Sequence, residues 1–518
     1  MTRQTFGCPA GFLSIFSVLV FSLVFGLATC SLHGQDANQS ARSNQKPYPI
    51  KGMVKINPKI FKLDIPNGEL RLPLDGECVM TKDEAGKRVV AKVHTGVGEN
   101  YVVMLPNGSL VGRMGSDVEA TDEKFKAATH AEIAAEIIRE NDFKGFKFEE
   151  TEHFVLVYNC SPQFARVTAR VMETMLDGVM KFAERQGITV HEPEVPLPVI
   201  AFHTDRDFQT FKPIPPGVAA YYEISSNRVV LKEESALSRM GRPDLAEAES
   251  LSTIAHEGCH QLLHNIGVQQ RLSRWPLWLG EGIAEYMAPT EVKSKRSLAW
   301  KGAGQINDLR MFEFETFMQK QYVKGFDGDT IDGTVRAGNL DSTGYSAAWT
   351  LTHYLANERK ADFDRYMRYL SRMAPLTGMV PDVINDEVQK QYTKETFPKV
   401  EDSLTHFKAF FGEDIAEIEN ELVQFLIKST RRTYQSPVAD YAHVVALAVV
   451  PGLEKDQKFA CFFLQEADVA EWATELKETL SEYEQEHCDI RTAVFPNRAS
   501  ANQAIDAFIK DKKKRNRR

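Results

Sequence analysis

Cysteine is scarce in this chain: seven among 518 residues, and five once the first thirty are set aside. That excludes a disulfide-stapled scaffold. A surplus of positive charge is also missing. The net charge of −9 argues against nucleic acid as the main partner. The basic run Lys512, Lys513, Lys514, Arg515, Arg517 and Arg518 reads as a solvated tail. Long apolar runs are lacking beyond the first, Phe12 to Ala28, so nothing later is fit to cross a bilayer. No internal repeat is visible, which excludes a solenoid or a propeller.

What is present is enough material for several cores. A chain of 518 residues exceeds one domain, and 43% hydrophobic with 26% charged residues fits a globular protein. Arg3 ahead of the first apolar run makes 1–34 a signal peptide, so export to a periplasm, cell envelope or exterior is expected. Leu27-Ala28-Thr29-Cys30 resembles a lipobox, but threonine before Cys30 is unusual there and a free exported protein is preferred. Residues 35–49 are polar, end in prolines and read as a linker. Short β-like runs over 50–120, with a hairpin signal at Pro106-Asn107-Gly108, predict a small β-barrel-like domain. A helix is expected over Thr121–Asn141, then a central domain to 430. Strands and helices alternate over 431–511, predicting a small α+β accessory domain, with 512–518 as the basic tail. Cys461 and Cys488 in that region are expected to pair outside the cytoplasm. The fold class is therefore α+β and multidomain.

The chemistry concentrates between Ile254 and Tyr286. His256, Glu257 and His260 form H-E-x-x-H. On a helix, residues four apart share a face, so both imidazoles reach one metal ion. Glu257 lies about 100° round from His256, in reach of a water on that metal. Apolar Ile254, Ala255, Leu262 and Leu263 place this helix in a core wall, where unpaired polar groups are costly. Catalytic zinc takes three protein ligands, so a third is needed. A second helical stretch from Trp278 offers Glu281 and, one turn on, Glu285; their spacing alone does not choose between them. Position 266 is Ile266, which excludes the metzincin pattern with its third histidine. Cys259 reads as a small buried hydrophobe and His264 as a packing residue.

H-E-x-x-H followed by Trp278, Leu279, Glu281, Gly282, Ala284, Glu285 and Tyr286 resembles the gluzincin metallopeptidases, the clan of thermolysin and the zinc aminopeptidases. A bacterial group of secreted gluzincin-like proteins of unknown function is the closest likeness, over about residues 145–370. The resemblance implies a small mixed sheet followed by a helical subdomain. It selects Glu281 as third zinc ligand. It also implies hydrolysis of a peptide or protein substrate, with Glu257 as general base. Glu285 is then suited to hold a ligating imidazole from behind. Tyr345, opening the Y-S-A-A-W-T-L stretch, is the candidate oxyanion donor. Arg228–Leu231 would be the cleft strand that pairs with substrate. The G-x-M-E-N sequence of aminopeptidases is missing, which tilts the expectation toward an endopeptidase. The rival reading is a zinc-binding surface or envelope protein without catalysis. Gly258 departs from the alanine often found there and is a poor helix residue.

Overall fold

Three strands of this protein carry apolar side chains at nearly every position, which a half-exposed strand does not do. They lie at the centre of a sheet covered on both faces. The computed structural model describes residues 54–215, 218–235, 243–294, 297–307, 310–311, 314, 328–378 and 403–433. It also describes three strands further on, 443–449, 459–464 and 489–495. The segments read as a signal peptide and a linker, with Cys30, Cys488 and the basic tail, lie outside the described residues.

The N-terminal lobe contains β1 (Val54–Lys55), β2 (Leu70–Arg71), β3 (Cys78–Lys82), β4 (Arg88–Val97), β5 (Asn100–Met104), β6 (Leu110–Arg113) and β7 (Glu119–Ala120). The last six form one antiparallel sheet, in which the long β4 pairs with β2, β3 and β5. Next come α1 (His130–Glu140), β8 (Lys147–Glu150), β9 (Phe154–Tyr158), α2 (Pro162–Arg185), β10 (Leu197–Phe202), α3 (Asp205–Phe211), β11 (Ala220–Glu223) and β12 (Arg228–Lys232). The helix expected from Thr121 starts only at His130. Thr129 accepts from the Glu132 amide while the Glu132 side chain takes the Thr129 amide, a capping box that fixes the first turn there.

The central sheet runs β11-β12-β10-β9-β8, parallel across β9, β10 and β12 and antiparallel at both edges. Phe154, Leu156, Val199, Ala201, Val229 and Leu231 face one core. Val155, Val157, Ile200, Phe202 and Val230 face the other, with Ile133 and Ile137 of α1 and Phe208 of α3. This alternation is the pleat at work: successive side chains enter opposite layers. Arg228–Lys232 therefore lies inside the sheet, and the edge belongs to Ala220–Glu223. This corrects the expectation that Arg228–Leu231 is the strand open to substrate.

On the first face lie α2 and α4 (Pro243–Asn265). Ser161 caps α2, accepting from the Phe164 amide, and Pro162 starts it. Its buried stripe includes Val171, Met175, Val179 and Phe182. Gln261 pins α4 to the sheet by donating to the carbonyls of Pro198 and Asn227, at 3.1 and 2.7 Å. Gly258 does not break α4. A Cβ there would sit 3.4 Å from Met172 Cε, an ordinary contact. Gly258→Ala is therefore expected to stabilise the protein by up to about 1 kcal/mol, seen as a higher melting temperature. A lower one would show that Met172 cannot accept a methyl group.

Then follow α5 (Leu277–Met287), β13 (Thr290–Ser294), β14 (Ser297–Trp300), α6 (Asp329–Arg336), α7 (Ser342–Glu358), α8 (Lys360–Leu370), β15 (Thr377–Gly378), α9 (Ser403–Phe411) and α10 (Ile415–Thr433). Helix α6 begins at Asp329. Gly328 enters it at φ 91°, and Asp329 and Asp332 suit its N-terminal dipole. Beyond 433, β16 (His443–Val449) lies between β17 (Phe459–Leu464) and β18 (Asp489–Phe495) in an antiparallel sheet. The described chain is thus mixed α+β with several sheets and helices.

Candidate metal centre

The site forms where α4 crosses α5. On its other side α5 packs closely on α7 because Gly282 has no side chain: a Cβ there would lie 2.2 Å from Thr352 Oγ1 and 2.6 Å from the Ala348 carbonyl oxygen of α7. Only glycine lets α5 seat between α4 and α7 without moving Glu281. Pro276 precedes α5, and every residue of it from Trp278 to Met287 except Gly280 is buried.

His256, His260 and Glu281, all buried, turn one ligand atom each toward a common point. His256 Nε2 lies 3.1 Å from Glu281 Oε2 and 3.2 Å from His260 Nε2, and the remaining side, His260 to Glu281, is 3.4 Å. A tetrahedral ion with bonds of about 2.0–2.1 Å has ligand atoms about 3.3 Å apart. The triangle thus has the dimensions of one face of such a site. Its charge fits as well. Three carboxylates, Glu257, Glu281 and Glu285, are buried here beside one guanidinium, Arg310. A dication would offset the excess.

Glu257 is fully buried, and neither of its carboxylate oxygens has a hydrogen-bond partner. Burial pushes its pKa up, against the pull of His256 and His260. A buried carboxylate without a partner is expensive unless something else meets it. Burial also opposes charge on His256. Glu285 and Glu281 outweigh it and hold that pKa up at about 10. Glu281 is carried well below the usual carboxylate range: burial opposes ionisation there, and His260 and His256 overcome it.

Glu285 lies behind His256, its Oε1 3.1 Å from Nδ1 in an ion-pair contact without hydrogen-bond alignment. Arg310 holds Oε1 at 2.7 Å, and Asn307 donates to Oε2 at 2.9 Å. Burial opposes ionisation of Glu285, and Arg310 with His256 overcomes it and holds the pKa down at about 2. The Arg310 guanidinium also lies 5.3 Å from the centre of the Tyr345 ring. Tyr345 opens α7 behind the Asp341 cap, and its ring meets His256 edge-on at 6.2 Å. Burial, then Glu281 and Glu257, push its pKa well up, so it stays a protonated donor.

The structure brings His256, Glu257, His260, Glu281, Glu285 and Tyr345 together. Cys259 points away as a fully buried thiol with a raised pKa. His264 stays out of the centre and stacks on Tyr222 at 5.6 Å. Sequence reading missed Arg310 and Asn307; Arg310 is helical, and Asn307 accepts from its amide at 3.3 Å. A second His/Glu group, Glu152, His153 and Glu173, is already accounted for by ion pairs: His153 meets Glu173 at 2.6 Å and Glu192 at 3.1 Å.

The chain is thus an α+β protein with a buried His–His–Glu group able to hold a metal ion. Residues 250–377, which contain that group, match a family described as "Protein of unknown function (DUF1570)". Among curated proteins none matches the chain.

Proposed function

We propose that this protein is an exported zinc metallopeptidase of the gluzincin type. One observation carries the reading: three ligand atoms at 3.1–3.4 Å from one another, with the unpartnered carboxylate of Glu257 one residue from the first. The donor set of two imidazoles and a carboxylate suits zinc and leaves a fourth position for reactants. Zinc bound there supplies Lewis acidity, polarising the scissile carbonyl and making water a better nucleophile. Glu257 takes the proton from the attacking water and passes it to the leaving amine nitrogen. Burial raises its affinity for that proton, as the task requires. Tyr345 remains protonated and is the donor for the developing oxyanion. Glu285 fixes the orientation of the His256 ring, and Arg310 with Asn307 fixes Glu285. Export rests on the segment 1–34 alone.

The test is a digest of a peptide library by purified, metal-analysed protein, with and without a chelator, read by mass spectrometry. Chelator-sensitive cleavage supports the reading. Bound zinc with no cleavage would replace it with a silent metal-binding protein. Arg310 gives a further check. Arg310→Met is expected to weaken zinc binding roughly 10-fold, because Glu285 loses the group that holds it. Arg310→Lys, which keeps the charge and loses the planar fork, should fall between. Unchanged affinity in both would remove Arg310 from the site's support.

A further inference from the structure

Strand β11 is the edge of the central sheet, and its backbone groups face two ways. The Ala219 carbonyl accepts from the Lys232 amide at 3.3 Å, so that pair is hydrogen-bonded. Bonded pairs alternate along an antiparallel ladder. Tyr221 and Glu223 therefore turn their amides and carbonyls inward, opposite Val230 and Arg228. Ala220, Tyr222 and, past the strand's end, Ile224 turn theirs outward. Among the described residues no backbone group bonds to the outward groups of Ala220 and Tyr222. Helix α4, which carries Glu257, packs against this strand. The open edge thus runs past the helix of the proposed base.

At Ile224 the edge is shut. Arg271, 4% exposed, donates to the Ile224 carbonyl from Nε at 3.1 Å and from Nη2 at 2.6 Å. The same Nη2 reaches the Ser225 carbonyl at 2.9 Å, and Nη1 reaches that of Gly108 in the N-terminal lobe at 2.6 Å. The Leu110 amide closes on Ser225 as well, at 2.7 Å. Ile224 itself packs against an apolar cluster drawn mostly from that lobe, Phe61, Ile65 and Leu110 included. The N-terminal lobe is therefore stapled across the carboxyl end of the edge strand, one outward-facing position beyond Tyr222.

An extended peptide adds to a sheet edge through backbone hydrogen bonds, and antiparallel pairing is the more stable mode. Such a peptide would lay its amino end toward the carboxyl end of β11, where the lobe stands. Outward-facing positions are two residues apart, about 6.6–6.8 Å, so there is room beside Tyr222 for roughly one or two residues before the wall. Resting on the peptidase reading, we propose that the protein is an exopeptidase that removes one or two residues from peptide amino ends. This departs from the endopeptidase expectation drawn from the missing G-x-M-E-N sequence. Here the stop is a lobe fastened by Arg271.

The experiment uses zinc-loaded, full-length protein and one peptide of about a dozen residues, supplied linear with a free amino end and as its head-to-tail cyclic form. Products are followed in time by mass spectrometry. The expected result is a ladder of products shortened from the amino end, with the cyclic form intact. Cleavage of the cyclic form, a first cut three or more residues from the amino end, or trimming from the carboxyl end overturns the proposal and leaves the peptidase reading standing. Hydrolysis of neither form overturns both.

Discussion

Glu257→Gln protein is expected to keep its zinc and its fold and to lose roughly 10²–10⁴-fold in hydrolysis. The change is nearly isosteric in a fully buried position, and it removes a carboxylate whose oxygens bond to nothing. No hydrogen bond of the fold is given up. The amide cannot accept the proton that the attacking water must lose. The three ligand atoms belong to His256, His260 and Glu281 and are untouched. Metal content, melting temperature and initial rate should be measured on the same preparation. Equal rates in wild type and variant would sink the mechanism. A variant that has lost its metal would show instead that Glu257 helps to hold it.

The second large effect separates the two acids of α5. Glu281→Gln should lose most bound zinc and nearly all hydrolysis, because it removes the charged corner of the ligand triangle. Glu285→Gln should keep a site but weaken zinc affinity by roughly 10–100-fold. Its carboxylate meets the far nitrogen of His256 at 3.1 Å and does not join the triangle. It should also lower stability more than its neighbour does, since Arg310 would lose a buried ion partner at 2.7 Å. Zinc titration of both variants against a competing chelator decides the assignment, with melting curves to correct for the stability loss. If Glu285→Gln empties the site and Glu281→Gln does not, the roles are reversed.

How much of this was legible depends on which interactions are local. The spacing of His256 and His260 is a property of one helix, so the sequence states it outright. The choice of Glu281 over Glu285 is not local, since both share a face of α5. It needed resemblance first and then the crossing of α4 and α5. Strand order was out of reach for the same reason. Arg228–Leu231 was readable as a strand, yet whether it inserts beside β10 or lies at the edge depends on partners elsewhere in the sheet. Nothing local marks Arg310 and Asn307, because what they hold is a buried carboxylate more than twenty residues earlier. The late start of α1 was legible in principle. Thr129 and Glu132 spell a capping box, and the apolar spacing of Ile133 and Ile137 outweighed it.

One pairing carries a consequence for how the protein is made. Val54 and Lys55 of β1 pair with Gly378 and Thr377 of β15, and the Ile56 amide donates to the Leu376 carbonyl at 2.7 Å. The two partners are separated by about 320 residues, a loop whose closure costs entropy that only the finished fold returns. A chain emerging from the ribosome presents β1 long before β15 exists. The first lobe must wait, its terminal strand unpaired, until the segment holding the metal centre has been synthesised behind it. The pairing that completes β1 is therefore made only after the residues of the metal centre exist. A chain halted before residue 377 would leave β1 without its partner.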